Sequence, residues 1–193
     1  PMIPLGLVIL PFTISFGRDM ADGVTTRFVL FGYRMAKQLV AKFVSVAILV
    51  SLVTVVYCLV LYQVLPLPSM SMLSLANVFA STMILTAALY LLSFAIAQVF
   101  KGFNMIQGVA MVCYFGIAFL TGSMGTFQLP RTLEKAIEWI PFAAIRETLK
   151  MHWGSNTVTD MQTEWFKLIV FLLITLFLFG LAEFYRRLKI HAV

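Results

Sequence analysis

The side chains that could carry acid–base, nucleophilic or metal chemistry are few in this chain. Its 193 residues include eight carboxylates, two histidines and two cysteines. The two histidines, His152 and His191, are far apart in sequence, and no GxxxxGK[ST], HExxH, CxxC or GxSxG motif occurs. Because no nucleophile–base pair or metal cluster can be assembled, we expect no enzyme active site, no metal and no cofactor in this chain.

The composition is typical of a membrane protein. Hydrophobic residues make up 61% of the chain, charged residues 11%, and the mean hydropathy is +0.97. Soluble domains carry about 25% charged residues, so the charge for a solvated surface is missing. The net charge of +6 could indicate nucleic-acid binding, but the basic residues flank apolar runs, where they set membrane topology. We therefore expect no nucleic-acid partner.

Five apolar runs approach or reach the length of about 20 residues that a helix needs to cross a bilayer. They are residues 2–16, 40–65, 75–100, 105–124 and 166–185. The first run is short and follows Pro1 with no initiating Met, so we expect the natural protein to begin earlier, with one more span. We predict an all-α, polytopic transmembrane bundle that forms one domain over residues 1–193. The polar residues inside the runs would join helices by hydrogen bonds, and they are Thr54, Asn77, Thr86, Ser93, Gln98 and Gln107.

The connections predict the orientation of this bundle. Residues 17–37 hold four basic side chains, the tail after the last run holds Arg186 and Arg187, and the loop at 66–74 has no charge. Basic loops stay in the cytoplasm. We therefore place residues 17–37 and the C-terminus in the cytoplasm and the uncharged loop outside, in a multi-pass protein of the plasma membrane.

The cytoplasmic connection has a pattern of its own. It reads Arg18-Asp19-x-x-Asp22-Gly23-Val24-Thr25-Thr26-Arg27-Phe28. Acidic residues favour the start of a helix, and Gly32 could end it, so the pattern predicts a short helix with apolar and basic residues at the inner face of the membrane. A solvated basic loop that only sets topology fits the same composition equally well.

Residues 121–165 predict two short amphipathic helices on the outer side. Pro130 suits the start of the first helix, Pro141 would end it, and Phe142 opens a second stretch of similar pattern. Trp139 would anchor this hairpin among the lipid headgroups. The alternative is a small soluble cap.

The predicted spans contain almost nothing ionisable. Residues 43–65, 75–100 and 105–124 have no Asp, Glu, Lys, Arg or His. The last run has Lys167 at its start and, farther along, only Glu183, which we expect to pair with Arg186 and Arg187 on its own helix. Moving a coupled ion requires a group that binds it, so uphill transport would need another subunit's energy. The Met- and Phe-rich spans favour a lipophilic or amphipathic substrate.

The order of these parts resembles the type-2 ABC exporter permease family. The first match is Asp19-x-x-Asp22-Gly23-Val24-Thr25-Thr26-Arg27, with Lys42 leading the next span. The second match runs from Gly122 through Leu129-Pro130 to Trp139-Ile140-Pro141-Phe142 and Ile145-Arg146. Such permeases usually have six spans, so the resemblance implies that the five runs are the second to the sixth.

The resemblance implies a permease subunit of an ATP-driven exporter in a bacterial cytoplasmic membrane. It would form the translocation path with a second copy or a sibling, while two cytoplasmic ATPase subunits bind ATP and Mg²⁺ and dock on residues 17–37. The residues implied in that docking are Arg18, Asp19, Asp22, Gly23, Thr25, Arg27 and Phe28. The outer hairpin, with Pro130, Trp139, Pro141 and Phe142, would help to close the exit.

Two other classes of protein remain open. A scaffold subunit of a membrane complex would need no ATPase partner and would tolerate substitution of Asp22 and Arg27. An ion-coupled carrier would need ionisable groups inside its spans, which the predicted spans lack.

Overall fold

The computed structural model describes residues 5–32, 35–64, 72–100, 102–120 and 161–190, and these residues are almost entirely helical. A π-helical turn (Leu5–Ile9) leads into α1 (Leu10–Ala21), and a short α2 (Val24–Leu30) follows. The longer helices are α3 (Met35–Val64), α4 (Met72–Val99), α5 (Phe103–Leu120) and α6 (Met161–Ile190). No strand occurs within these ranges, and the predicted all-α class is confirmed.

Three helices are long and apolar enough to cross a membrane. Their apolar stretches are Lys37–Val64 in α3, Leu75–Val99 in α4 and Trp165–Phe184 in α6. Each reaches the roughly 20 residues that span the hydrocarbon core. The apolar part of α5, Phe103–Phe119, is shorter. These helices support the predicted membrane protein, while the arrangement of five spans stays a prediction.

The helices on either side of the predicted connection are longer than the hydropathy pattern indicates. Helix α1 continues to Ala21 and α3 already begins at Met35, so most of the connection predicted at residues 17–37 is helical. The backbone N–H of Asp22 donates to the Arg18 carbonyl at 2.8 Å, and Gly23, at φ +67°, turns the chain out of α1. The difference arises because charged residues are tolerated in the helix ends, where they reach water or each other.

Helix α4 lies at the centre of the bundle. Within its apolar stretch 56% of the residues are buried inside the protein, against 18% in α3 and 17% in α6. Leu85, Leu89 and Phe94 of α4 are among the largest fully buried side chains. A helix that is apolar on every side is expected in such a position. Helices α3 and α6 therefore leave most of their apolar surface for lipid or another protein.

The contacts of α1 and α3 with α4 show their relative directions. Phe12 and Phe16 of α1 meet Tyr90 and Phe94 of α4 in the same order, so α1 and α4 run parallel. Phe43 of α3 meets Tyr90, and farther along α3 Ser51 lies 3.9 Å from Met83. Since rising numbers in α3 match falling numbers in α4, these two helices are antiparallel.

Helices α5 and α6 continue the alternation. Gly17 of α1 lies against Ile106 of α5, and Gly6 lies near Tyr114, so α5 runs against α1. Helix α6 runs parallel to α4, because Phe94 meets Phe179 and Gln98 meets Glu183. The ends of α1, α4 and α6 and the starts of α3 and α5 therefore lie at one end of the bundle.

The buried hydroxyl groups of α4 do not join helices, contrary to the prediction. The hydroxyls of Thr86 and Ser93 donate to the carbonyls of Thr82 and Leu89 in their own helix, at 2.7 and 2.9 Å. Such bonds satisfy a polar side chain locally, so no partner helix is required. Gln98 does bridge two helices, since its Nε2 donates to Glu183 Oε2 at 3.2 Å.

A close approach between α1 and α5 depends on the absence of a side chain at Gly17. A Cβ built there would lie 2.9 Å from Cγ2 and 3.1 Å from Cδ1 of Ile106. Because Cγ2 is attached to the branched Cβ, it cannot swing aside without a change of χ1. The two helices would have to separate.

We therefore expect Gly17→Ala to lower the free energy of unfolding in detergent by about 1–3 kcal/mol, the usual cost of overpacking. The matched control is Gly108→Ala, whose Cβ would meet nothing within 4 Å. A chemical-unfolding series that includes Ile106→Ala checks the cause, because the double variant should recover part of the loss. Equal stability of the two glycine variants would contradict the close approach.

Candidate functional site at the charged end of the bundle

Most of the charged residues that the structure describes lie at one end of the bundle. We call the charged end the side where α1, α4 and α6 finish and α3 and α5 begin. The charged residues there with described side chains are Arg18, Asp19, Asp22, Arg27, Lys37, Lys42 and Glu183. Among the described helices, only Glu164 and Lys167 lie towards the opposite end. A charged end on an apolar bundle is the part that can meet water, headgroups or a soluble partner.

An ion pair joins the last turn of α1 to the beginning of α3. Lys42 Nζ donates to Asp19 Oδ2 across 23 positions of sequence. The same Nζ lies 4.7 Å from the centroid of the Phe16 ring, which is a cation–π distance. The Lys42 and Asp19 side chains are 34% and 28% exposed, so both are partly withdrawn from water. The pair therefore holds α1 and α3 together at the level where the apolar bundle begins.

A cluster of aromatic rings lies beneath this ion pair. The aromatic cluster consists of Phe12, Phe16, Phe43, Tyr90, Phe94 and Phe179. The Phe16 ring stands edge-on to Phe94, with centroids 5.2 Å apart. Phe94 in turn lies 5.5 Å from Phe179 of α6. Since edge-to-face pairs stabilise by about 0.5–1.5 kcal/mol beyond their buried area, the cluster links α1, α3, α4 and α6 into one unit at this depth.

Helix α2 presents an exposed surface of basic and aromatic side chains. Arg27 is exposed, and Phe28, Leu30 and Phe31 are 46%, 81% and 79% exposed. The Phe31 N–H donates to the Arg27 carbonyl at 3.1 Å, and the chain leaves the helix at Gly32, where φ is +83°. Large apolar side chains so exposed beside charge are typical of a surface that contacts something else. The sequence is compatible with either a short helix or a solvated loop at this position, and the structure shows the helix.

Asp19 has a different role from the one that its place in the sequence predicts. Asp19 was expected to precede a helix and favour its N-terminus, but it lies within α1 and pairs with Lys42. Asp22 and Gly23 do precede α2, and the Asp22 side chain is exposed. Leu30 and Phe31 were not predicted as part of the site. The apolar run after Arg27 could have indicated them, but hydropathy alone does not show whether such a run is exposed or buried.

The predicted docking residues lie on both sides of the turn at Gly23. Arg18 is exposed on the last turn of α1, and Arg27 and Phe28 are exposed on α2. For Thr25 the structure describes the backbone, which is part of α2. The outer hairpin residues Pro130, Trp139, Pro141 and Phe142 lie outside the described residues.

Glu183 forms a contact between helices that its sequence position does not predict. Gln98 Nε2, at the end of α4, donates to Glu183 Oε2 on α6, while Gln98 Oε1 is buried with no hydrogen-bond partner. A local pair with Arg186 and Arg187 was expected, and those side chains lie outside the description. The bond ties α6 to the central helix at the charged end. Glu183 thus has at least one structural partner.

An apolar cavity opens just inside the charged end, between α3, α4 and α6. Its volume is about 330 Å³, and its walls include Phe43, Tyr90, Phe94 and Phe179. The Tyr90 hydroxyl, the one polar side-chain group on its lining residues, donates to the Leu39 carbonyl at 2.8 Å. No polar surface therefore faces the cavity.

Among the described residues, the charged end holds no cluster of His, Cys, Asp and Glu that could ligate a metal. Its groups form ion pairs, ring contacts and an exposed basic–aromatic surface. The turn at Gly23 connects α2 to α1, and the ion pair of Asp19 and Lys42 joins α1 to α3. Comparisons with protein-family models, curated proteins and solved structures found no match.

Proposed function

We propose that this chain is the transmembrane permease subunit of an ATP-driven exporter of the type-2 ABC class. Cytoplasmic ATPase subunits bind ATP and Mg²⁺ and dock on the charged end, and the chain itself hydrolyses nothing. A second copy or a sibling permease completes the translocation path. The substrate is lipophilic or amphipathic.

The observation that carries the proposal is the connection of α2 to the bundle. Helix α2 offers Arg27 and Phe28 to a partner, and the helices before and after it are joined by the ion pair of Asp19 and Lys42. Charged and aromatic side chains are typical anchors of protein interfaces. Movement of a docked partner would therefore reach α1 and α3 together. A basic loop that only sets topology needs no such connection.

The apolar interior supports an external source of energy. Described residues 43–64, 72–99 and 103–120 contain no charged side chain and no histidine. An ion-coupled carrier needs such groups along its path. Glu183, the carboxylate at the end of the last span, bonds to Gln98. This distribution of charge favours transport in which a partner subunit supplies the energy.

The proposed topology has five spans, with the charged end in the cytoplasm. The alternating directions of α1, α3, α4, α5 and α6 are compatible with five successive crossings. The concentration of basic residues at the charged end supports the placement of this end in the cytoplasm. The outer hairpin predicted at residues 121–165 would then end before α6, which already begins at Met161, and would help to close the exit.

The decisive experiment is purification of the full chain from its native membranes with Arg27 changed to Glu. We expect the unchanged chain to retain an ATPase subunit and vanadate-sensitive ATP hydrolysis, and Arg27→Glu to lose both about tenfold or more, because truncating or reversing one interface charge costs about 1.4 kcal/mol or more. Arg27→Lys keeps the charge and should retain most of the ATPase. Arg27→Lys is therefore the matched control, because it differs from Arg27→Glu in the sign of the charge at the same exposed position.

Two results would refute this assignment. One is an ATPase that remains bound to Arg27→Glu at the same yield as to the control. The other is a chain that purifies with other membrane subunits and no ATPase while tolerating changes at Asp22 and Arg27, which is the behaviour of a scaffold subunit. Membrane yields of all variants are compared first, so that failed insertion is recognised.

A further inference from the structure

The apolar cavity between α3, α4 and α6 is larger than ordinary packing leaves. Protein interiors contain few voids larger than a water molecule. At about 330 Å³ the cavity is roughly twice the size of the ~150 Å³ apolar cavity that binds benzene, and it falls in the range of small-molecule pockets. Because the cavity is open to its surroundings, an apolar group from the bilayer can enter it.

Water does not fit the chemistry of this cavity. A buried water needs two to four polar partners. The Tyr90 hydroxyl is already bonded to the Leu39 carbonyl, and the remaining lining side chains are hydrocarbon. The occupant must be apolar along the length that enters.

The cavity opens onto the outer surface of α3. Val40, on its rim, is 61% exposed, and from Phe43 a shallow apolar groove continues along α3 to Val56. From Leu39 to Val56 this track extends for about 25 Å at 1.5 Å per residue. Since α3 is long and apolar enough to span a membrane, the neighbours of this surface are lipid chains or another helix.

The side chains at the cavity favour lipid over a helix. Helices pack closely in membranes where small residues line the contact, and the groove farther along α3 includes two such residues, Ala47 and Ser51. The cavity itself is lined by large side chains apart from Ala87, and Val40 on its rim is 61% exposed. A large, branched surface of this kind suits an acyl chain.

A cation stands one helical turn beyond the mouth of the cavity. Lys37 precedes Val40 by three positions on α3, so both lie on one face of the helix. Lys37 is exposed and forms no ion pair with any described residue, whereas Lys42 is engaged by Asp19. A phosphate at the membrane surface would meet Lys37 while its acyl chain enters beside Val40.

We infer that this cavity is a binding site for one phospholipid, whose acyl chain lies between Phe43, Leu91, Phe94 and Phe179 and whose phosphate is bound by Lys37. The site is independent of the proposed transport function, because it requires only that the chain reside in a bilayer. Lipid bound there would fill the space between α3 and the α4–α6 pair near the charged end.

The test uses the full chain reconstituted into phosphatidylcholine vesicles with a trace of phosphatidylglycerol that carries a photoreactive diazirine in its acyl chain. After irradiation, mass spectrometry locates the adducts. We expect adducts concentrated at residues 39–43 and 87–94, and labelling there that unlabelled phosphatidylglycerol saturates and displaces. Labelling that is spread evenly over α3 and α6 and does not saturate would overturn the site, because bulk lipid around the protein gives that pattern.

Two substitutions examine the two halves of the site separately. Ala87→Phe fills the cavity and should reduce labelling there about tenfold, or ~1.4 kcal/mol. Ala76→Phe, the same change at an exposed position of α4, should leave it unchanged. Lys37→Gln should reduce labelling by phosphatidylglycerol about fivefold, or ~1 kcal/mol, and leave a diacylglycerol probe without phosphate unaffected.

The inference fails if Ala87→Phe and Ala76→Phe label alike. If Lys37→Gln changes labelling by the two probes equally, Lys37 does not bind the phosphate. If Ala87→Phe does not reconstitute, the saturation experiment on the unchanged chain still decides. ATPase association is measured on the same samples, so that loss of the lipid site and loss of the proposed docking are distinguished.

Discussion

Phe94→Ala is expected to lower the free energy of unfolding by about 3 kcal/mol, the lower end of the cost of removing a buried phenylalanine. Phe94 is 2% exposed and its ring meets Phe16 at 5.2 Å and Phe179 at 5.5 Å. The change removes contacts to two helices at once and enlarges a cavity that is already present. In a bilayer the unfolded helix is also surrounded by hydrocarbon, so the loss comes mainly from packing.

The measurement is reversible unfolding in mixed micelles, followed by circular dichroism or by a fluorescent label. Phe177→Ala is the matched control, because Phe177 is 65% exposed on α6 and the change leaves no buried hole. Its stability should stay within about 0.5 kcal/mol of the unchanged chain. If the two variants lose the same stability, α4 is not the packed centre of the bundle.

The fold class could be predicted because it depends on composition. Runs with almost no charge that reach about 20 residues leave helices as the structure that satisfies the backbone within lipid. The ends of these helices were less predictable. Hydropathy placed Arg18 and Asp19 in a connection, whereas α1 includes both, since a charge at a helix end can snorkel or find a partner.

The pairing within the site could not be predicted from the sequence. Asp19 and Lys42 were both singled out, but their contact requires the relative direction and level of α1 and α3. The aromatic cluster could not be predicted for the same reason. Phe94 is buried and Phe119 is 44% exposed, yet both lie in uniformly apolar helices, where periodicity carries no information about the inward face.

The surface of α2 was predicted in part. The short helix was predicted from its acidic start and glycine stop, which are local signals, whereas the docking role of Arg27 and Phe28 was implied by the resemblance to the permease family. Leu30 and Phe31 were missed because their exposure depends on where the short helix projects from the bundle. Residue type predicted the chemistry of this surface, and tertiary structure determines its extent.

Asp19→Lys is expected to weaken both the fold and the proposed coupling. It places a second cation beside Lys42, which already lies over the Phe16 ring. Because the pair is partly exposed, we expect a loss of about 2 kcal/mol, between the values for exposed and buried pairs. Unfolding in detergent measures this first effect.

The second effect concerns the transmission of force from α2. If the ion pair holds α1 and α3 together, Asp19→Lys should retain the docked ATPase, because Arg27 and Phe28 are unchanged, while transport per ATP hydrolysed falls. Transport and hydrolysis are measured together in reconstituted vesicles. Asp19→Asn serves as the milder control, since it removes the attraction and adds no repulsion.

The reversed pair, Asp19→Lys with Lys42→Asp, separates a role in coupling from a role in local charge. It restores the attraction between α1 and α3 but takes the cation off the Phe16 ring, so we expect stability to return to within about 1 kcal/mol of the unchanged chain. Coupling should recover with it, because the link between the helices is restored. Recovery of stability without recovery of coupling would show that force from α2 reaches the bundle by a route other than this ion pair.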